Sequence, residues 1–157
     1  MVREIIIDAD GFTILPVDFK PKEGITMKTT HYKADTGANC STISREWLAE
    51  LGYDEEWIKL GKPSYPTLAS GAIVADCYEV VIPQIRIGDW VGYNWPFLTS
   101  LTIPFRLLLG TDSMQFFNWH FDYEHDICRF GIIPGKQRLL FNQKTQAIHE
   151  LAEDGIV

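Results

Sequence analysis

The triplet Asp35-Thr36-Gly37 ends a β-prone run over residues 25–34 and is followed by a second β-prone stretch, Ser41-Thr42-Ile43. An acid, a small hydroxyl residue and a glycine at a strand end make a loop that can present a carboxylate. The threonine hydroxyl both donates and accepts hydrogen bonds, so it can hold the loop while Asp35 stays accessible. The glycine allows backbone conformations that a Cβ would forbid, which lets two such turns approach closely. The triplet alone is common, and its meaning depends on what surrounds it.

Asp35-Thr36-Gly37-Ala38 followed by Ser41-Thr42-Ile43 resembles the active-site loop of the retropepsin-like aspartic proteases. That family carries a second signal far downstream: an apolar run, then Gly, one residue, and an Asp or Asn opening a short helix. Here it reads Leu107-Leu108-Leu109-Gly110-Thr111-Asp112-Ser113-Met114. The two motifs stand in the family's order, and the likeness spans about residues 12–132. It implies an all-β fold, a closed acid-protease-like barrel of a single lobe with one or two short helices, paired as a homodimer. The chain then forms one retropepsin-like domain over residues 1–157.

The resemblance also implies a chemistry. Two carboxylates a few ångströms apart share one proton, because like charges that close cannot both ionise comfortably. The ionised member takes a proton from a trapped water, and the neutral member polarises or protonates the scissile amide. Two-lobed relatives carry both acids in a chain roughly twice as long. This sequence has a single Asp-Thr-Gly. An active enzyme is therefore expected to be a homodimer in which Asp35 from each subunit meets on a two-fold axis. Such a cleft binds an extended polypeptide by main-chain hydrogen bonds. It requires no metal and no organic cofactor.

Further site residues follow from the same likeness. Thr36, Gly37 and Ala38 support the loop. Ala69-Ser70-Gly71 reads as a hairpin tip between residues 65–68 and 73–74, and in the family a glycine-containing hairpin there is the flap over the substrate. An ordinary hairpin turn is the plainer reading of Ser-Gly. Lys33, Asn39, Phe105, Arg106 and Leu108 are candidate cleft residues. Lys33 departs from the pattern, because strand periodicity puts it on the same side as Asp35, where the family has an apolar residue. It can select an acidic substrate side chain or act on the acid pair; alternatively the strand twists and Lys33 reaches solvent. Phe105 and Arg106 can equally be a core residue and a solvated one.

Composition is consistent with this reading and narrows it. At 157 residues, with 46% apolar and 22% charged residues, the chain has enough length and hydrophobicity for a real core. A net charge of −7 argues against a nucleic-acid surface, which needs clustered Lys and Arg. No apolar run approaches the roughly 18 residues of a membrane span, and the N-terminal run is too short for a signal peptide. Cys40, Cys77 and Cys128 are odd in number and widely spaced, which suggests reduced thiols and a cytoplasmic location.

Along the chain, 3–8 and 12–19 read as strands around an Asp10-Gly11 turn, with Pro16 pushing the second toward a sheet edge. Ser44 is placed to cap a short helix that ends at Gly52, with Trp47, Leu48 and Leu51 on its core face. Residues 65–87 read as two long strands, the second turning at Gly88-Asp89 into 90–99. Asp112 is placed to cap a helix running to 117. Residues 119–123 and 127–130 form a hairpin. Its His120, His125 and Cys128 match no standard metal spacing, so no metal site is expected. Ala147, Ile148 and Leu151 recur at helical spacing in the tail, 137–157.

Two other classes stay open. One is a catalytically inactive module of the same fold, used for dimerisation or peptide binding, which Lys33 and the unusual tail favour. The other is a small-molecule-binding β-barrel, which accounts for the aromatics and leaves both motifs to chance.

Overall fold

The structure is a computed structural model that describes residues 2–7, 13–68, 70–101 and 107–133. Nine strands and three short helices are found among them: β1 (Val2–Ile6), β2 (Thr13–Phe19), β3 (Lys28–Ala34), α1 (Arg45–Glu50), α2 (Glu55–Lys59), β4 (Lys62–Ser64), β5 (Cys77–Ile87), β6 (Trp90–Ser100), β7 (Leu108–Leu109), α3 (Thr111–Met114), β8 (Phe117–Asp122) and β9 (Ile127–Ile132).

Strand β2 shows how the sequence builds the core. Thr13, Leu15, Val17 and Phe19 are buried while Ile14, Pro16 and Asp18 face outward, the alternation of a half-buried strand. It pairs antiparallel with β3 along its whole length but with β5 only at Asp18 and Phe19. Pro16 therefore lies where β2 has a ladder partner on one side, and the missing N–H costs no second hydrogen bond. Phe19 packs at 5.6 Å from both Tyr32 of β3 and Phe97 of β6, centring an aromatic core.

The larger sheet runs β4-β5-β2-β3-β7, with β6 joined to the other side of β5; a second, three-stranded sheet runs β1-β9-β8. A closed barrel was expected, but the pairings among the described residues give two open sheets. Among the described residues β1 pairs with β9 from Val2↔Gly131 to Ile6↔Ile127 and is bridged to β2 at Ile7↔Thr13, so it completes the smaller sheet rather than extending the larger one. Three helices replace the expected one or two. Sequence reading missed α2, whose Asp54 caps it by accepting a hydrogen bond from Trp57 N–H at 2.9 Å.

Helix α1 matches expectation. Ser44 Oγ accepts from Trp47 N–H at 3.0 Å, Gly52 has φ +89° just past the end, and Trp47, Leu48 and Leu51 are buried. The β5–β6 hairpin turns at Gly88-Asp89 as read, with Ile87 opposite Trp90. So does β8–β9, turning at Asp126, φ +55°. The region 65–76 differs from the long strand expected there. Among its described residues it holds the isolated Thr67↔Ile73 bridge, and Asp76, φ +58°, separates it from β5. The Asp10-Gly11 turn and the 137–157 tail lie outside the described residues.

Candidate active site

The Asp35 loop is anchored at both ends by the second motif. Strand β3 runs parallel to β7, pairing Lys33 with Leu108 and Ala34 with Leu109. Asp35 N–H donates to Leu109 O at 2.9 Å, and after the turn Ala38 O accepts from Thr111 N–H at 2.9 Å. Further on, Thr42 N–H donates to Leu108 O, while Ile43 N–H and Leu98 N–H bond Leu98 O and Ser41 O. The chain thus enters the loop beside β7 and leaves it between β7 and β6, so the carboxylate sits on a backbone fixed from two sides.

Within the loop, Gly37 N–H donates to Asp35 Oδ1 at 2.8 Å. Gly37 does not adopt a positive φ; a Cβ there would lie 3.2 Å from that same oxygen. The glycine is needed for close approach to the carboxylate rather than for an unusual backbone angle. Asp35 is half-buried and Thr36, Gly37 and Asn39 are exposed, so one carboxylate oxygen is held while the group remains open to solvent. Lys33 and Leu108 are likewise half-buried on the outer side of β3 and β7, where Tyr32 and Leu109 face the core.

The acid of the second motif has a different task from the one expected. Gly110, not Asp112, is the N-cap of α3, no side chain caps it, and the helix ends at Met114. Asp112 instead accepts two hydrogen bonds from Ser41, from N–H to Oδ2 at 3.0 Å and from Oγ to Oδ1 at 2.7 Å. The helix start is therefore tied to a residue brought in from far along the chain. Behind this pair the polar groups form a directed chain. Trp95 Nε1–H donates to Ser113 Oγ at 2.9 Å, and Ser113 and Ser41 hydroxyls lie 2.7 Å apart. Because Ser41 spends its proton on Asp112, Ser113 must donate to Ser41, which also accepts from Gly110 N–H at 3.1 Å. Ser41 and Ser113 are fully buried, so a network that ends on a carboxylate satisfies every member. Sequence reasoning missed Ser41, Ser113 and Trp95 as site residues. Ser41 stood in the motif itself, but nothing local pairs it with Asp112.

The hairpin expected as a flap is present around its tip. Leu68 N–H bonds Ala72 O, Gly71 N–H bonds Leu68 O, both at 2.9 Å, and Gly71 has φ +87°. Ser70 Oγ accepts from Ala72 N–H at 3.4 Å. Its base rests on the buried cluster of Val74, Cys77 and Leu98, whereas Tyr65 and Ile73 are 70% and 69% exposed. Arg45, also unforeseen, pins this base to the helices: Nε donates to Thr99 Oγ1 at 3.1 Å, Nη2 to Asp76 O at 3.4 Å, and Nη1 pairs with Glu55. Ala69, Phe105 and Arg106 lie outside the described residues.

Other chemistry-bearing groups lie on the β8–β9 turn and among the cysteines. Ligand atoms of Asp122, Glu124 and His125 fall within 4.8 Å of one another at the β8–β9 turn. Asp122 accepts from His125 N–H and bonds its Nδ1, which holds its carboxyl below the usual range and accounts for the cluster as turn capping. Cys40, Cys77 and Cys128 form no disulfide among the described residues, and burial pushes the thiols of Cys77 and Cys128 up. Among the described residues no helix is long and apolar enough to cross a membrane.

A β-rich single lobe whose Asp-Thr-Gly loop is clamped by a Gly-x-Asp helix start defines the acid-protease class of fold. A model of the aspartyl protease family matches residues 23–113, from ahead of β3 through the second motif. The chain belongs to the aspartyl protease family. Among solved structures it is similar to a retropepsin-like aspartic protease from Rickettsia conorii, with TM-score 0.61 and 17% identity over 83% of this chain and 90% of that one. At that identity the likeness concerns the fold. No curated protein matches the sequence.

Proposed function

We propose that this protein is a homodimeric aspartic endopeptidase that hydrolyses peptide bonds of polypeptide substrates with paired Asp35 carboxylates, one from each subunit. The observation that carries this reading is the division of labour between the two motifs. Asp112 is committed to Ser41, while Asp35 is half-exposed with one oxygen positioned by Gly37 N–H. One chain thus offers one candidate catalytic acid, and the shared-proton mechanism needs two.

In the pair, the ionised Asp35 draws a proton from a water held between the carboxylates, and that water attacks the scissile carbonyl. The protonated partner first polarises the carbonyl oxygen, and a proton is then delivered to the leaving nitrogen. The Gly37 N–H bond keeps each carboxylate in one rotamer, so orientation is set before the substrate arrives. The hairpin arms at residues 66–68 and 70–74, which carry the exposed Ile73, can close over an extended peptide. No step calls for a metal or cofactor.

Asp35→Asn tests the assignment. Cleavage of unfolded casein is expected to disappear while sedimentation shows the same dimer. Cleavage that persists in a clean Asp35→Asn preparation overturns the mechanism.

A further inference from the structure

Lys33 is the feature of this site that the general mechanism leaves without a role. It sits two residues before Asp35 on β3, in register with Leu108 of the parallel strand β7. Its chain neighbours face inward: Tyr32 is fully buried and Ala34 packs against the core. Strand alternation therefore sets Lys33 and Leu108 on the outer face, which is also the side of Asp35. Both are half-buried. On this face, beside the candidate acid, the charged Lys33 is paired with the apolar Leu108.

We infer that Lys33 is a specificity residue, selecting an acidic substrate side chain at a position flanking the cleaved bond. The inference rests on the endopeptidase reading above. In a two-fold pair the two Lys33 side chains lie on opposite sides of the joined Asp35 groups, so either flanking position meets one. Lys33 is partly covered as a residue, and closing a peptide over it would desolvate a pair formed with an acidic side chain, which weakens screening. The chain as a whole carries a net charge of −7, which repels acidic substrates at long range. A preference for acidic residues would therefore have a local source, and Lys33 is placed to be that source.

Unfolded casein digested by the wild-type protein, with the cut sites read by mass spectrometry, gives the first measurement. Matched peptides differing only as Glu or Gln at the flanking position give the second, at one pH, for wild type, Lys33→Met and Lys33→Gln. The expected result is enrichment of Asp or Glu beside the cut bond. The Glu-over-Gln ratio of kcat/KM should fall about fivefold in both variants, the size of a charge pair at the upper end of what exposed pairs give. The ratio within one variant cancels any general loss of activity. Cleavage without acid enrichment, or a ratio unchanged in both variants, overturns the role of Lys33 and leaves the endopeptidase standing. Absence of cleavage by the wild-type dimer overturns both.

Discussion

Ser41 Oγ donates to Asp112 Oδ1 across 2.7 Å, joining residues 71 positions apart and fastening the candidate active-site loop to the start of α3. The same carboxylate takes Ser41 N–H at 3.0 Å, so one side chain satisfies two donors of a fully buried residue. Charge-assisted bonds of this kind are the stronger ones, and the penalty for losing them is dominated by the donors left unpaired.

Asp112→Ala should therefore destabilise the protein by about 2–4 kcal/mol. Asp112→Asn keeps one acceptor oxygen and should cost about half as much. Urea unfolding checks this through a lower midpoint with unchanged slope. A midpoint for Asp112→Ala equal to wild type would mean that the Ser41 pair adds nothing to stability.

Gly110 tests the same clamp by steric means. A Cβ on it would lie 2.8 Å from Ala38 O and from Cys40 C and O, all backbone atoms of the loop that holds Asp35. Backbone cannot swing aside as a flexible side chain can. Gly110→Ala is expected to cost about 1–3 kcal/mol and to lower peptide cleavage by more than the loss of folded protein explains. Gly24→Ala is the contrast: nothing lies within 4 Å of its added Cβ, and its φ of +88° alone makes the change unfavourable. Stability should suffer there while cleavage per folded molecule stays at the wild-type level.

Tyr53 gives a prediction at alkaline pH. Its hydroxyl donates to Lys20 O at 3.0 Å, and burial pushes its pKa up to about 12. An unfolded tyrosine ionises near 10. Above that pH the unfolded chain releases a proton that the folded chain keeps, so stability is complete below about pH 10 and falls as pH rises toward 12. The slope from this group is at most about 1.4 kcal/mol per pH unit. Tyr53→Phe should be less stable at neutral pH, having left Lys20 O without its partner, and should lose stability less steeply above pH 10. Tyr32, whose hydroxyl burial also raises, leaves a residual slope. Equal slopes in the two proteins would contradict the assignment.

What the sequence disclosed is what short range determines. The Ser44 cap, the left-handed Gly52 and the Gly88-Asp89 turn follow from residues within one helical turn or one hairpin of each other. The Asp35 loop was legible because its residue order is so particular, and the family match confirms that reading of kinship. Long-range choices were hidden. Asp112 looked like a helix cap because an acid after Gly-Thr has that local option, and Ser41, arriving from the other motif, offered two donors instead. The pairing of β1 with β9 depends on segments at opposite ends of the described chain, and it replaces the closed barrel by two open sheets. Helix α2 was passed over because its five residues are too few for a periodic signal, although Asp54 marked its start.

The central claim is that one chain holds half of the catalytic apparatus. It is tested most directly by unfolding wild type and Asp35→Asn together in equal amounts, refolding them, and measuring cleavage of a fixed peptide against the wild-type dimer at the same total concentration. Random pairing leaves about one quarter of dimers with two Asp35 residues, and the account predicts activity near that fraction. Activity near one half, tracking the number of wild-type chains rather than of wild-type pairs, would contradict it.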